Sequence, residues 1–399
     1  MNAAFFTSNR QRLTHQLKGG TIVLGAYFQM QRGNDAAFRF EQEANFWWLT
    51  GIEEPEWELI IDGTRGKSWL VQPNVSETHE IFDGSLSAAE AKKVSGVDDV
   101  LSRDEADTML RDLAAKHSVV YTLGEHPAKE HYDFISNPAT KRLYASLSRI
   151  FNDVQDCRRD IARLRAIKQP EEIAAIKKAI KLTVSAFQDV KVLLPELKKE
   201  YEIEAEFTYA FRRAGAAGHA YDPIVAGGKN AVTLHYGKNS DVLKQGSLVL
   251  LDIGARVDGY AADITRTYAV GVPTPRQVEV HKAVERAHRQ IISLLKPGLG
   301  VSEYHEAVDI IMKNALESLD LLHDEHDYRK YFPHAISHGL GVDVHDSLGG
   351  QAQFEAGMVL TVEPGIYIPE EGIGVRIEDD ILITETGHTN LSSALSTSL

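Results

Sequence analysis

The sequence predicts a two-domain chain: an α/β domain over residues 1–162, then a larger α+β domain of long helices and strands over residues 163–399. Three observations predict it. The 399 residues exceed what one ordinary core holds. In the first domain short β-branched runs alternate with helical segments, the pattern of an α/β layer. In the second, the helical segments lengthen, and the strands between and after them carry the candidate metal-ligating residues.

In chain order, Thr21–Gly25, Glu58–Asp62 and Ser118–Leu123 read as strands. Ser87–Lys93 and Ser102–Lys116 read as helices, with acidic residues in their first turns. A long helix opens near Pro170, where proline suits the first turn and Glu171 and Glu172 complement the dipole. Ile173, Ile176 and Ile180 give it one apolar face, and the domain boundary falls just before it, around Ala162–Ile167. Further helices are expected from about Pro275 to Leu295 and from about Ser302 to Ser318.

The composition, 43% hydrophobic and 25% charged, is that of a globular protein. A net charge of −14 argues against nucleic acid or an anionic membrane as partner and serves solubility. The lone Cys157 forms no internal disulfide, which suits a reducing compartment, and reads as a small buried hydrophobe rather than a nucleophile. The opening MNAAFFTSNRQRL lacks the apolar core of a signal peptide, and no run approaches the ~20 apolar residues of a membrane span. A soluble, cytoplasmic protein is expected.

Asp252, Asp263, His338, Glu363 and Glu378 read as one metal cage. Carboxylates with one imidazole suit hard divalent cations, and two M²⁺ ions would balance the four negative charges. Leu248–Val270 reads as a hairpin turning at Asp258-Gly259. The odd separation of Asp252 and Asp263 puts both on one face, as opposed or diagonal neighbours. Phe332–Asp346 holds His334, His338 and His345. The spacing of the first two fits a helical turn, although Gly339 and Gly341 favour a loop equally. Glu363 ends an apolar strand before Pro364-Gly365. Arg376 and Glu378, two apart on a strand, would share a face and let the guanidinium orient or neutralise a ligating carboxylate. The chain has no H-E-x-x-H, no G-x-S-x-G elbow, no Walker lysine loop and no complete dinucleotide fingerprint, which disfavours serine, cysteine and nucleotide chemistry.

Four motifs then occur in a recognisable order: D-x-G-x-x-x-x-G-Y-x-x-D-x-T-R-T at Asp252–Thr267, H-G-L-G-x-D-x-H-D at His338–Asp346, V-E-P-G-I-Y at Val362–Tyr367 and R-I-E-D-D at Arg376–Asp380. Together they resemble the pita-bread metallopeptidases. Arg32–Pro55 and Leu164–Ile176 resemble the N-terminal domain and linker helix of the Xaa-Pro aminopeptidases (aminopeptidase P), so the resemblance spans nearly the whole chain. One departure lies in FRFEQEANF, where Glu41-Gln42 stands in place of the family's usual Arg-Gln pair.

The resemblance implies an α/β N-terminal domain and a pita-bread catalytic domain with pseudo-twofold symmetry. It implies that Asp252 chelates one metal, that Asp263 and Glu378 bridge both, and that His338 and Glu363 hold the other. His235 and His345 resemble the family's substrate-side histidines, and His334 and Arg376 match supporting positions. Manganese is the expected ion. The expected reaction is release of the N-terminal residue from peptides with proline in the second position, by attack of a metal-bridging hydroxide, with Glu363 moving the proton. A homodimer or homotetramer is expected. A prolidase, cleaving Xaa-Pro dipeptides, is the nearest alternative; FWWLTG and the compact chain favour the aminopeptidase. A methionine aminopeptidase leaves the N-terminal domain unexplained. Metal-free binding modules and creatinase-like hydrolases fit poorly with an intact ligand set.

Overall fold

The computed structural model describes residues 1–124 and 134–399. The chain divides into two compact units, Met1–Leu164 and Arg165–Leu399.

The first unit is built on strands β1 (Thr21–Gly25), β2 (Glu58–Asp62), β3 (Lys67–Val71), β4 (Asp99–Leu101), β5 (Val119–Thr122) and β6 (Asp153–Asp156), in the spatial order β4-β3-β2-β1-β5-β6. The sheet is mixed: β1 runs antiparallel to β2, with Ile22 opposite Ile61, and parallel to β5. The helices are α1 (Ala3–Gln16), α2 (Ala44–Thr50), α3 (Glu77–Phe82), α4 (Ala88–Ser95), α5 (Arg103–Ala114), α6 (Ala139–Leu147) and α7 (Arg158–Ala166), the last crossing the division. Alternation in the strands sends Val23, Ile60, Trp69, Val71 and Val120 to one face, against Ala106, Leu110 and Leu113 of α5 and Leu147 of α6. Ser87 and Ser102 open α4 and α5 in capping boxes with Glu90 and Glu105, so the two expected helices begin one residue after each serine. The segment around Glu41-Gln42 is structural: the Gln42 amide donates to the Ile52 and Glu54 carbonyls, and the Glu43 carboxylate accepts from Phe46 N–H at the start of α2.

The second unit begins its regular structure with α8 (Pro170–Leu193) and α9 (Glu200–Arg213). Strands β7 (Gly218–His219), β8 (Ile224–Gly227), β9 (Ser247–Ile253), β10 (Ala255–Val257), β11 (Tyr260–Ala261) and β12 (Ile264–Val270) follow. Then come α10 (Pro275–Leu294), α11 (Val301–Glu317), α12 (Glu325–Tyr331) and strands β13 (Val359–Val362), β14 (Gly365–Ile368), β15 (Ile373–Arg376), β16 (Asp379–Ile383) and β17 (His388–Asn390). The order of long helices followed by strands thus occurs twice, the expected pseudo-repeat. The strands form small antiparallel sheets: β12-β9-β8, β11-β10-β7, β13-β16-β17 and β14-β15. Pro170 is the first residue of α8, and Ile176, Ile180, Phe187 and Val190 form its buried stripe. Val284 and Ile291 of α10 and Val308 and Met312 of α11 pack with Leu360, Val362, Val375 and Ile381 of the second strand set. Among the described residues, no helix is long and apolar enough to cross a membrane.

Candidate metal centre

The hairpin of β9 and β12 sets the first two carboxylates. Ile253 pairs with Ile264 and Asp252 with Thr265, so Asp263 lies diagonally from Asp252 on the same face. Asp258 and Gly259 turn the chain with φ of 52° and 84°, both left-handed. Gly254 is required where the strands cross, since a Cβ there would meet the Ala262 carbonyl oxygen at 1.7 Å. The Tyr221 hydroxyl sits between the pair, 2.6 Å from Asp252 Oδ1 and 2.6 Å from Asp263 Oδ1. It has one proton to donate, so it bridges two acceptors that would otherwise face each other bare.

His338 and Glu363 meet because residues 336–340 run beside β13. Leu340 N–H donates to Val359 O, Thr361 N–H to His338 O and Glu363 N–H to Ile336 O. The block Phe332–Asp346 is therefore a loop, and the alternative of a helical turn for His334 and His338 does not form. His338 Nδ1 lies 2.9 Å from the Gly339 carbonyl. With its proton there, Nε2 points at Asp263 Oδ2 (3.4 Å) and Glu363 Oε1 (3.6 Å).

Glu378 lies in a two-residue break between β15 and β16, not on one continuous strand with Arg376. Both still converge on Thr265: its hydroxyl donates to Glu378 Oε2 at 2.7 Å and accepts from Arg376 Nε at 3.2 Å. The guanidinium's carboxylate partner is Asp252, and it also donates to the Tyr367 hydroxyl at 2.7 Å. The five side chains thus form one connected network. Within it Asp263, His338 and Glu378 offer ligand atoms that all lie within 4.8 Å of one another.

The electrostatics fit a cation. Asp252, Asp263 and Glu378 are at most 8% exposed, too dry for unpaired negative charge. Burial, then mutual repulsion, pushes Glu378 well above the usual carboxylate range. Burial also raises Asp263, and it lifts Glu363 to about 7. Burial opposes the His338 imidazolium, but Asp263 and Glu363 override it and hold its pKa at about 9. Asp380 Oδ1 is buried without a partner. Protons or cations must neutralise such a cluster, and an oxygen-rich set with one imidazole is chemistry for hard divalent ions.

Two of the remaining histidines touch this cluster: His334 Nδ1 lies 3.5 Å from Glu363 Oε2, and His345 meets His338. The His345 ring lies 4.2 Å from the His338 ring. Partial loss of water and the charges of His338 and His235 lower its pKa to about 4. His334 Nε2 lies 2.9 Å from the Tyr367 hydroxyl, and burial, then Arg376, lowers its pKa to about 3, so it stays neutral. His235 is exposed, on a loop held by Glu200, whose carboxylate accepts from Gly227 N, Asn230 Nδ2, Tyr236 OH and Asp241 N at 2.8–2.9 Å. Hydrogen bonds and ion pairs link Asp252, Asp263, His334, His338, Glu363, Arg376 and Glu378, the His345 ring lies against His338, and His235 is near enough for its charge to act on His334 and His345. The structure adds Tyr221, Thr265, Tyr367, Glu200 and Asp346. Asp346 anchors the His345 loop, with Oδ1 3.0 Å from Arg165 and Oδ2 3.3 Å from Lys168. Its reach depends on Gly341, where a Cβ would meet Asp346 Oδ2 at 2.0 Å.

A twice-repeated helix-and-strand domain with this buried donor set defines a class, the metal-dependent peptidases of the pita-bread fold. Residues 174–385 match the model of metallopeptidase family M24, and residues 6–121 match that of the aminopeptidase P N-terminal domain. The chain belongs to metallopeptidase family M24. It is 36% identical to the Xaa-Pro aminopeptidase of Escherichia coli (strain K12), over 98% of this chain and 94% of that one. The structure of aminopeptidase P from E. coli with the inhibitor Pro-Leu superposes with a TM-score of 0.86 at 32% identity, covering 100% of this chain and 96% of that one. A zinc-substituted E. coli aminopeptidase P in complex with product gives the same values, 0.86, 32%, 100% and 96%.

Proposed function

We propose that this chain is an Xaa-Pro aminopeptidase that works with two divalent cations held by Asp252, Asp263, His338, Glu363 and Glu378. The observation that carries the reading is the network itself: four carboxylates and one imidazole joined through Tyr221, Thr265, Arg376 and the His338 ion pairs, with three of the proposed ligands within 4.8 Å. Asp252 would hold one cation, His338 and Glu363 the other, with Asp263 and Glu378 shared. Manganese is the proposed ion, and the zinc-substituted relative supports a site that accepts more than one metal.

When bound, the cations supply a water of lowered pKa and polarisation of the scissile carbonyl. The side chains do the rest. Glu363 takes a proton and passes it to the departing prolyl nitrogen; burial, which lifts its carboxyl to about 7 in the cation-free chain, favours that exchange. His345, kept neutral, keeps a ring N–H to donate to the carbonyl oxygen as charge develops there. His235 and His334 line the substrate side. Arg376 and Tyr221 hold Asp252 in place from behind. The substrate is a peptide with proline in the second position, whose prolyl nitrogen offers no N–H, so ring shape selects it. Pro-Leu binding by the E. coli relative supports that class. A homodimer or homotetramer is the proposed assembly, read by light scattering.

The test is cleavage of Ala-Pro-Ala against Ala-Pro with Mn²⁺ in excess. Release of alanine from the tripeptide, with the dipeptide left intact, is the expected result. Hydrolysis of the dipeptide alone makes the chain a prolidase instead.

A further inference from the structure

On β12, one residue after Thr265 and so facing the other way, lies a buried arginine that the proposed reaction does not use. Arg266 is 1% exposed, and all five of its N–H donors are used. Nε donates to Ser396 O (3.0 Å), and Nη1 to Thr265 O (2.9 Å) and Glu378 O (2.7 Å). Nη2 donates to Asp379 Oδ1 (2.6 Å) and Leu395 O (2.9 Å). One planar group therefore ties the backbone of Glu378 to the C-terminal segment.

A second link runs in parallel. Asp380 N–H donates to Ser392 Oγ at 3.1 Å, and Asp380 Oδ2 accepts the backbone N–H of Asp263 at 3.2 Å. Ser392 is fully buried, and its own N–H donates to Asn390 Oδ1 at 2.8 Å. Asn390 Nδ2 in turn donates to Asp379 Oδ2 at 2.6 Å. The two links reach Glu378 and Asp263, the two carboxylates proposed above to be shared.

We propose that the C-terminal segment Asn390–Ser396, through Arg266 and Ser392, is a positioning element that fixes the backbones of Glu378 and Asp263 for cation binding. The physical need is plain. Two buried carboxylates repel each other, and only a stiff support keeps them at the separation that cations require. Arg266 supplies that stiffness because its fork is planar and every donor is bound. Lysine, with a single point of attachment on a flexible stem, cannot span the same acceptors.

The proposal rests on the reading of the cluster as a cation site, so the test separates the two. Metal-stripped full-length chains are titrated calorimetrically with Mn²⁺ alone. Co²⁺ absorption spectra and thermal melts of the stripped proteins are recorded beside them. The variants are Arg266→Lys and Ser392→Ala, neither of which removes a ligand. The expected result is weaker Mn²⁺ binding by about tenfold in each folded variant, with a changed Co²⁺ spectrum, the size seen when groups that orient metal ligands are altered. Folded variants that bind Mn²⁺ as tightly as the wild type, with unchanged Co²⁺ spectra and only lowered melting temperatures, overturn the proposal. If Arg266→Lys does not fold, Ser392→Ala decides. A wild-type chain that binds no Mn²⁺ overturns the cation-site reading itself.

Discussion

At Glu363, burial does the work that a change of residue type would do elsewhere. In the cation-free chain burial raises its carboxyl to about 7, and Glu363 is the proposed carrier of the proton. Glu363→Gln keeps the shape and loses the exchangeable proton, so kcat with excess cation should fall by about 10²–10⁴ with KM little changed. A variant retaining wild-type kcat would remove Glu363 from proton transfer. Tyr221→Phe deletes the hydroxyl shared by Asp252 and Asp263. Cation affinity should drop by about 10–100-fold, read by titration of the stripped chain. His288 is a stability residue instead. It is 2% exposed, and burial lowers its pKa to about 4, against the opposing pull of Asp379. The unfolded chain takes up this proton near 6.5, the folded chain only near 4. The folded state therefore binds fewer protons between those values, and stability is lost as pH falls through that window. His288→Gln should shrink the stability difference between pH 7 and pH 4.5 by up to about 3 kcal/mol, measured by urea melts at both.

Among the elements, the β9–β12 hairpin shows how a backbone demand becomes a motif. Gly254→Ala places a methyl against the Ala262 carbonyl, which must shift the crossing that aligns Asp252 with Asp263. A loss of about 3 kcal/mol is expected from overpacking there, visible in thermal melts. Strand parity made the shared face of these two aspartates legible in the sequence, because it depends only on period two and a tight turn. Helix starts were legible where chemistry marks them: Ser87, Ser102 and Pro170. Helix α2 was not legible, since all its residues from Ala44 to Thr50 are buried and no polar face creates a period. The loop carrying His338 was ambiguous for a different reason. Its partner is Thr361 on β13, and a pairing across 23 residues leaves no local trace. Tyr221 and Glu200 were missed because a single tyrosine or glutamate has no spacing to read; only the acceptors and donors around them reveal their work.

For the whole molecule, the cluster is a cost that bound cations would turn into stability. Four carboxylates drawn from β9, the β11–β12 junction, the end of β13 and the β15–β16 junction gather in one place, three of them at most 8% exposed. Their assembly was legible in the motif order, whereas the support behind them, from Arg266 to Ser396, was not, because its contacts run through backbone carbonyls that any residue supplies. Divalent cations binding only the folded chain should raise its stability, by about 2.7 kcal/mol for a site at a hundredfold excess over Kd. The most direct measurement is titration of the metal-stripped chain with Mn²⁺ while following both bound metal and release of alanine from Ala-Pro-Ala. Activity that reaches its plateau at two bound ions per chain is the predicted result. Full activity in the stripped chain, before any ion is added, would contradict it.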